Sequence, residues 1–183
     1  MKNFWFVVIV IVLYLQIDVV ATFRIRQTLR GLVNGSPLIT TATVSQISSK
    51  IEKNPYGGDA VYTYVVVNIK TILKGNVNNP SLTVKMLGGR VNGKGSWSEE
   101  WIPFKINEEV LLFLHPINNE NNIWEMKTPS AKLPIIKNNG TRYFDCSELY
   151  PDELSKNNSF PLLDEKLIID MVKDYISSFI GGN

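Results

Sequence analysis

Among its 183 residues the chain has a single cysteine and a single histidine. With Cys146 alone, no intramolecular disulfide can form, so the fold must be held by a packed core. Arg142 is near Cys146 in sequence, but Asp145 and Glu148 flank it more closely, which is the wrong setting for a reactive thiol. With His115 the only imidazole, His-rich zinc sites and a Ser-His-Asp triad have one candidate residue between them. No metal and no cofactor is implied. Excess charge is missing too: 19 Lys and Arg against 17 Asp and Glu leave a formal +2. Apart from Arg24, Arg26 and Arg30, no basic run stands out. A polyanionic partner, nucleic acid included, is therefore not expected.

Only one long apolar run is present, and it lies at the start. Met1-Lys2-Asn3 is a short positive segment, Phe4 to Leu15 is apolar throughout, and Val19-Val20-Ala21 places small residues where a signal peptide is cut. The run is shorter than the roughly 20 residues that span a bilayer. Residues 1–21 are read as an export signal, which makes the mature protein secreted or part of the cell envelope, with no membrane insertion after cleavage. The alternative is an uncleaved N-terminal anchor, and the arginines that follow favour it, since positive charge tends to stay on the cytoplasmic side.

What remains is long enough for one domain with a real core. Residues 22–35 read as an N-terminal arm and 36–140 as a β-barrel domain. Leu38 to Ile47 is a strand rich in Thr and Val. From Ala60 to Leu73, Val61, Thr63, Val65, Val67, Ile69, Thr71 and Leu73 share one face, while Tyr62, Tyr64 and Val66 begin the other. Leu82, Val84 and Met86 alternate with polar residues as in a half-buried strand. Val110 to His115 is a continuous apolar run too short for a helix, hence a central strand. Shorter strands are expected at Ile123–Met126 and Leu133–Ile136, joined by Asn-rich turns. Residues 141–160 read as a loop segment. Over 161–180 the period changes: Ile168, Val172, Tyr175, Ile176 and Phe179 form one stripe of an amphipathic helix packed on the barrel, stopped by Gly181-Gly182. The fold class is mainly β: a small, closed or partly open Greek-key barrel of five or six strands with a C-terminal helix.

A glycine-rich stretch, Gly88-Gly89-Arg90-Val91-Asn92-Gly93-Lys94-Gly95, approaches a phosphate-binding loop. Gly88, Gly93 and Lys94 fit that pattern, but Gly95 stands where a Ser or Thr must ligate magnesium. No helical period follows before Pro103. ATP is thus not an expected ligand, and the stretch reads as a flexible, positively tipped loop or bulge between strands.

Ile72-Leu73-Lys74-Gly75, Leu82-Thr83-Val84, Gly88-Gly89 and the run from Phe104 to Leu114 occur in an order that resembles a group of mostly uncharacterised exported microbial proteins. These resemble the OB-fold barrel of netrin-like and tissue-metalloproteinase-inhibitor-like domains. The resemblance covers roughly residues 36 to 136 and implies the barrel fold. The inhibitor family ligates zinc through an N-terminal cysteine and is cross-linked by disulfides; this chain has neither, so inhibition does not carry over, and no functional residue does.

Trp97 and Trp101, four apart in the long loop, could form an aromatic platform, with Arg90 and Lys94 as cationic neighbours. Alternatively, the two indoles fold back over the barrel mouth. The expected function is a non-enzymatic binding module that contacts an unknown protein or a cell-envelope glycan through the Gly88–Phe104 loop. The alternative is an extracellular hydrolase using Glu99, Glu100 or His115, although adjacent Glu99 and Glu100 would point apart in a strand. Tyr62 and Tyr64 are the only candidates for a stacking face and are expected to pack under the C-terminal helix. Asn34, Asn139 and Asn157 open Asn-x-Ser/Thr sequons, about as many as this composition produces by chance.

Overall fold

Alternating burial along Val61–Leu73 produces the longest hairpin of the fold. In the computed structural model, which describes residues 26–55, 57–96, 102–117, 122–151, 154 and 161–180, β1 (Leu38–Lys53) pairs antiparallel with β2 (Asp59–Lys74) along its whole length. Three register shifts between the two strands, at Leu73 and Lys70 of β2 and at Ser45 of β1, bend the ribbon. Each adds local twist, which lets a flat hairpin coil into a wall. β3 (Ser81–Leu87) pairs antiparallel with β2. A small hairpin, β4 (Gly89–Val91) and β5 (Lys94–Ser96), follows, then β6 (Glu109–Pro116) and β7 (Ile123–Glu125).

The ring closes in the order β1-β2-β3-β7-β6-β1, with only β3–β7 parallel. Five strands in this Greek-key order make a partly closed OB-like barrel. A three-residue 3₁₀ turn (Pro129–Ala131) leads to β8 (Lys132–Asn138), β9 (Thr141–Asp145) and β10 (Leu162–Asp164), which extend the sheet from β6. One edge of β6 is divided: His115 and Pro116 pair with β7, and Val110 to Leu112 pair with β8.

The two faces of β6 bury into two cores. Val110, Leu112 and Leu114 fill the barrel interior with Leu38, Ala42, Val44, Val65, Val67, Leu82 and Val84. Leu111 and Phe113 face outward into a second core with Ile39, Leu133, Phe144 and Leu163. Two helices cover that outer core. α1 (Leu29–Gly35) contributes Leu29, Leu32 and Val33, and α2 (Glu165–Ile180) contributes Ile168 and Val172. Cys146 lies in the same core, and burial pushes its thiol up to about 12, so it packs as a small hydrophobe.

Four expectations change here. The arm over residues 22–35 contains helix α1, started by Thr28, whose Oγ1 accepts from the Gly31 N–H at 3.0 Å. The segment after residue 140 begins with strand β9, entered through a tight turn at Asn139 (φ 49°) and Gly140 (φ 81°). The glycine-rich loop is the hairpin β4–β5, turned at Asn92 (φ 50°) and Gly93 (φ 78°), the positive-φ pair that a two-residue hairpin turn demands. Tyr62 and Tyr64 do not lie under the C-terminal helix: α2 packs on α1, β9, β10 and β2, and it meets β2 at Lys74, the end away from the tyrosines.

An ion network ties α2 to the barrel. Glu109 on β6 accepts from Lys70 of β2 and Lys137 of β8, each at 2.7 Å, and from Arg142 of β9 at 2.8 Å. Arg142 also grips Glu165, the first residue of α2, through Nε at 2.5 Å and a second nitrogen at 3.1 Å. Asp164 caps the helix, its Oδ1 accepting from the Lys166 N–H at 2.9 Å. Hydrogen bonds from Arg142, Lys137 and Lys70 hold the Glu109 carboxyl well below its usual range of about 4.5. A depressed carboxylate adds stability above its unfolded pKa and loses it as pH falls. Glu109→Gln is therefore expected to cost about 2 kcal/mol at neutral pH. In denaturant titrations the difference from wild type should shrink steadily as pH drops below 4.5.

Candidate functional site

Both ends of the Gly88–Phe104 segment are pinned to the barrel. At its start the Gly88 N–H donates to the Val61 carbonyl at 2.7 Å. The Thr63 hydroxyl donates to the Gly88 carbonyl at 2.7 Å, which leaves Ser49 to donate to Thr63 across 2.9 Å. Gly89 (φ 131°) lies flat on this hydroxyl pair: a Cβ there would come 2.2 Å from Thr63 Oγ1 and 2.8 Å from Ser49 Oγ. Only a residue without a side chain fits both that conformation and that approach. The hairpin β4–β5 thus leaves across the inward face of the β1–β2 ribbon.

At the far end Phe104 plugs the barrel interior. Behind it lies Lys132, whose side chain is only 2% exposed. Its ammonium donates to the Pro103 carbonyl at 2.7 Å, pairs with Glu108 Oε2 at 2.8 Å and sits 4.3 Å from the centre of the Phe104 ring. Burial pulls the Lys132 pKa down, while Glu108 opposes that fall. A buried cation needs this full set of partners, so Lys132 sets where the backbone at residues 103–108 can lie. Asn107 (φ 64°) then turns the chain into β6.

Between these anchors stand the residues singled out by sequence. Arg90 is exposed on β4, opposite Gly95, and Lys94 pairs with Val91 across the hairpin. Trp97, Glu99, Glu100 and Trp101 lie outside the described residues, as do residues 1–21, for which an export signal is expected from sequence. His115 is far from the hairpin, near the other end of β6. It is half-buried opposite Glu125 and beside a cavity of about 180 Å³ under α1. Burial, together with Lys127 and Lys74, lowers its pKa; Glu125 acts the other way. Among the described residues no group of three His, Cys, Asp or Glu could hold a metal ion.

A second feature was missed by sequence reasoning. Tyr62 and Tyr64 lie on the outer face of the β2–β3 sheet with Lys85, beside Lys50 and Glu52 of β1. Glu52 is the hub: it accepts from the Tyr64 hydroxyl at 2.7 Å and pairs with Lys50 at 2.6 Å and Lys85 at 3.2 Å. The ammonium of Lys50 stands 4.4 Å from the Tyr64 ring centre, and that of Lys85 4.9 Å from Tyr62. Lys50, Tyr64 and Lys85 together draw the Glu52 carboxyl down to about 2. The i, i+2 spacing of Lys50 with Glu52 and of Tyr62 with Tyr64 was the available signal. Only strand register shows that these pairs, and Lys85, meet on one face.

Gly89→Ala should cost about 2–4 kcal/mol, from positive-φ strain plus overpacking against Thr63. Thermal melts should show that loss, whereas Gly93→Ala, with open space around its Cβ, should cost less. For Glu52, whose folded pKa is depressed from 4.5 to about 2, the contribution is present above pH 4.5 and lost toward pH 2. Glu52→Gln should accordingly lower stability by about 1 kcal/mol at pH 7 and by almost nothing near pH 2.

Compared with known proteins, the chain matches no protein-family model and no curated protein.

Proposed function

We propose that this is an exported, non-enzymatic binding module of the secreted space or cell envelope, contacting a protein or cell-envelope glycan through the Gly88–Phe104 loop. The observation that carries it is the double anchorage: Gly88–Gly89 on the Thr63–Ser49 hydroxyls and Phe104 over buried Lys132. Two anchored ends restrict the chain that joins them, so binding through this segment would remove less conformational freedom than binding through a free terminus. Arg90, Lys94, Trp97 and Trp101 are the contact residues we assign to it. Their mixture of cations and indoles suits a partner with both polar and apolar surface.

The outer face around Tyr62 and Tyr64 is the second surface of interest, because OB barrels commonly bind ligands on this side. Here the lysine ammonium groups stand over the tyrosine rings and are themselves bound to Glu52. Bases would have to displace those cations to stack, so a nucleic-acid partner is disfavoured. The resemblance to exported proteins with netrin-like barrels belongs to the same proposal, without any metalloproteinase inhibition.

Retention of the mature domain on native cell-envelope material is the measurement that decides. Trp97→Ala with Trp101→Ala should abolish retention and leave the melting temperature unchanged. Unchanged retention would overturn the assignment of the loop, and a collapse in melting temperature would show the indoles to be core residues.

A further inference from the structure

At the opposite end of β2 from the pinned loop, the turn between β2 and β3 and the start of β7 enclose an open depression of about 360 Å³. Among the described residues its lining is Asn76, Val77, Asn78, Asn79, Asn122 and Trp124, none of them charged. Val77 and Trp124 are partly buried and pack on the barrel core, whereas the four asparagines are exposed. The depression therefore has an apolar, aromatic floor and a rim of neutral amides. Its volume falls at the low end of the roughly 300–1,000 Å³ usual for small-molecule sites.

The rim is built rather than loose. Gly75 (φ 83°) brings the β2–β3 turn against the start of β1, so close that a Cβ would lie 2.4 Å from the Pro37 carbonyl. The Ile69 N–H donates to the Pro80 carbonyl at 2.9 Å and closes the other side of that turn. Asn122 (φ 62°) is fixed twice: its backbone carbonyl accepts from the Thr83 N–H and its Nδ2 donates to the Ser81 carbonyl, each at 3.1 Å. The side-chain bond uses one of the two N–H groups of the Asn122 amide.

We propose that this depression is a binding site for a neutral pyranose unit of a glycan, its ring laid over Trp124 and Val77 and its hydroxyls paired with the surrounding asparagine amides. A carboxamide offers donors and an acceptor side by side, which matches vicinal hydroxyls that both give and receive hydrogen bonds. An indole presents a broad apolar surface with one polar N–H, which suits the C–H face of a sugar. Uncharged amides also cost less to desolvate than ion pairs would. Among the described lining residues a charged ligand would find no counter-charge, and a strand of nucleic acid no cation. The site is separate from the Gly88–Phe104 loop and does not depend on it.

Saturation-transfer NMR on the full chain with cellotriose, chitotriose, mannotriose and galactobiose, followed by calorimetry, tests this. At least one sugar should bind at millimolar concentration. Its affinity should fall by about tenfold or more in the exposed double variant Asn76→Ala/Asn79→Ala, and likewise in Trp124→Ala. The asparagine variant keeps the test sound should loss of the partly buried indole unfold the barrel. Trp97→Ala/Trp101→Ala should bind the sugar as wild type does. No transfer to any of the four sugars, equal affinity in the asparagine variant, stronger binding of a sulfated heparin fragment, or loss only in the Trp97/Trp101 variant would each overturn the assignment.

Discussion

Burial of β6 on both faces is the constraint on which the remaining structure depends. Val110, Leu112 and Leu114 point into the barrel, and Leu111 and Phe113 point out of it; all five are fully buried. A strand with two apolar faces cannot be left half-covered, because each large side chain exposed to water forfeits roughly 1.5–3 kcal/mol. The inner face is covered by closing the ring through β1 and β7. The outer face is covered by β8, β9, β10 and the two helices, which have no other reason to gather there. Barrel and C-terminal half thus form one unit joined along a single strand.

Charge supports this arrangement without driving it. Glu109, at the first position of β6, collects cations from β2, β8 and β9, and through Arg142 reaches the first residue of α2. Its role is to hold register among elements already brought together by apolar burial. Lys132 does the same for the segment carrying Phe104, at the seam where β8 takes over from β7 along the edge of β6. The elements that carry candidate contacts lie beyond these fixed points: the hairpin after Gly89, the tyrosine–lysine face of β2 and β3, and the asparagine-rimmed depression at the β2–β3 turn.

Much of the barrel was legible in the sequence because strand burial has a period of two. The alternation along Val61–Leu73 and Leu82–Met86, the unbroken run Val110–His115 and the helical stripe from Ile168 to Phe179 all correspond to elements of that type. Helix α1 was not legible: seven residues with two internal or terminal glycines have little helical propensity, and burial of Leu29, Leu32 and Val33 on α2 and β6 is what holds them. The β4–β5 hairpin carried a signal that was passed over, since Asn92-Gly93 is the preferred pair for a two-residue turn. The site was less legible than the fold. Nothing local distinguishes Gly88-Gly89 as a docking point from a merely flexible loop, because Thr63 and Ser49, which impose the need for glycine, are 25 and more residues away in the chain.

By itself the sequence determined composition-level properties and local periodicity: a core-dependent fold without intramolecular disulfides, a nearly balanced charge, a β-rich body and a terminal amphipathic helix. Each follows from residue identity or from neighbours a few positions apart. Tertiary structure alone decided which strands close the ring, that β3 and β7 run parallel, that Tyr62 and Tyr64 meet Lys50, Glu52 and Lys85 instead of α2, and that Trp124 joins the asparagines of a distant turn. Those relations depend on pairing between segments distant in the chain, such as Leu38 with Leu114 and Thr83 with Ile123. Their register is set by the simultaneous burial of both faces of β6, and no local pattern encodes such a global condition.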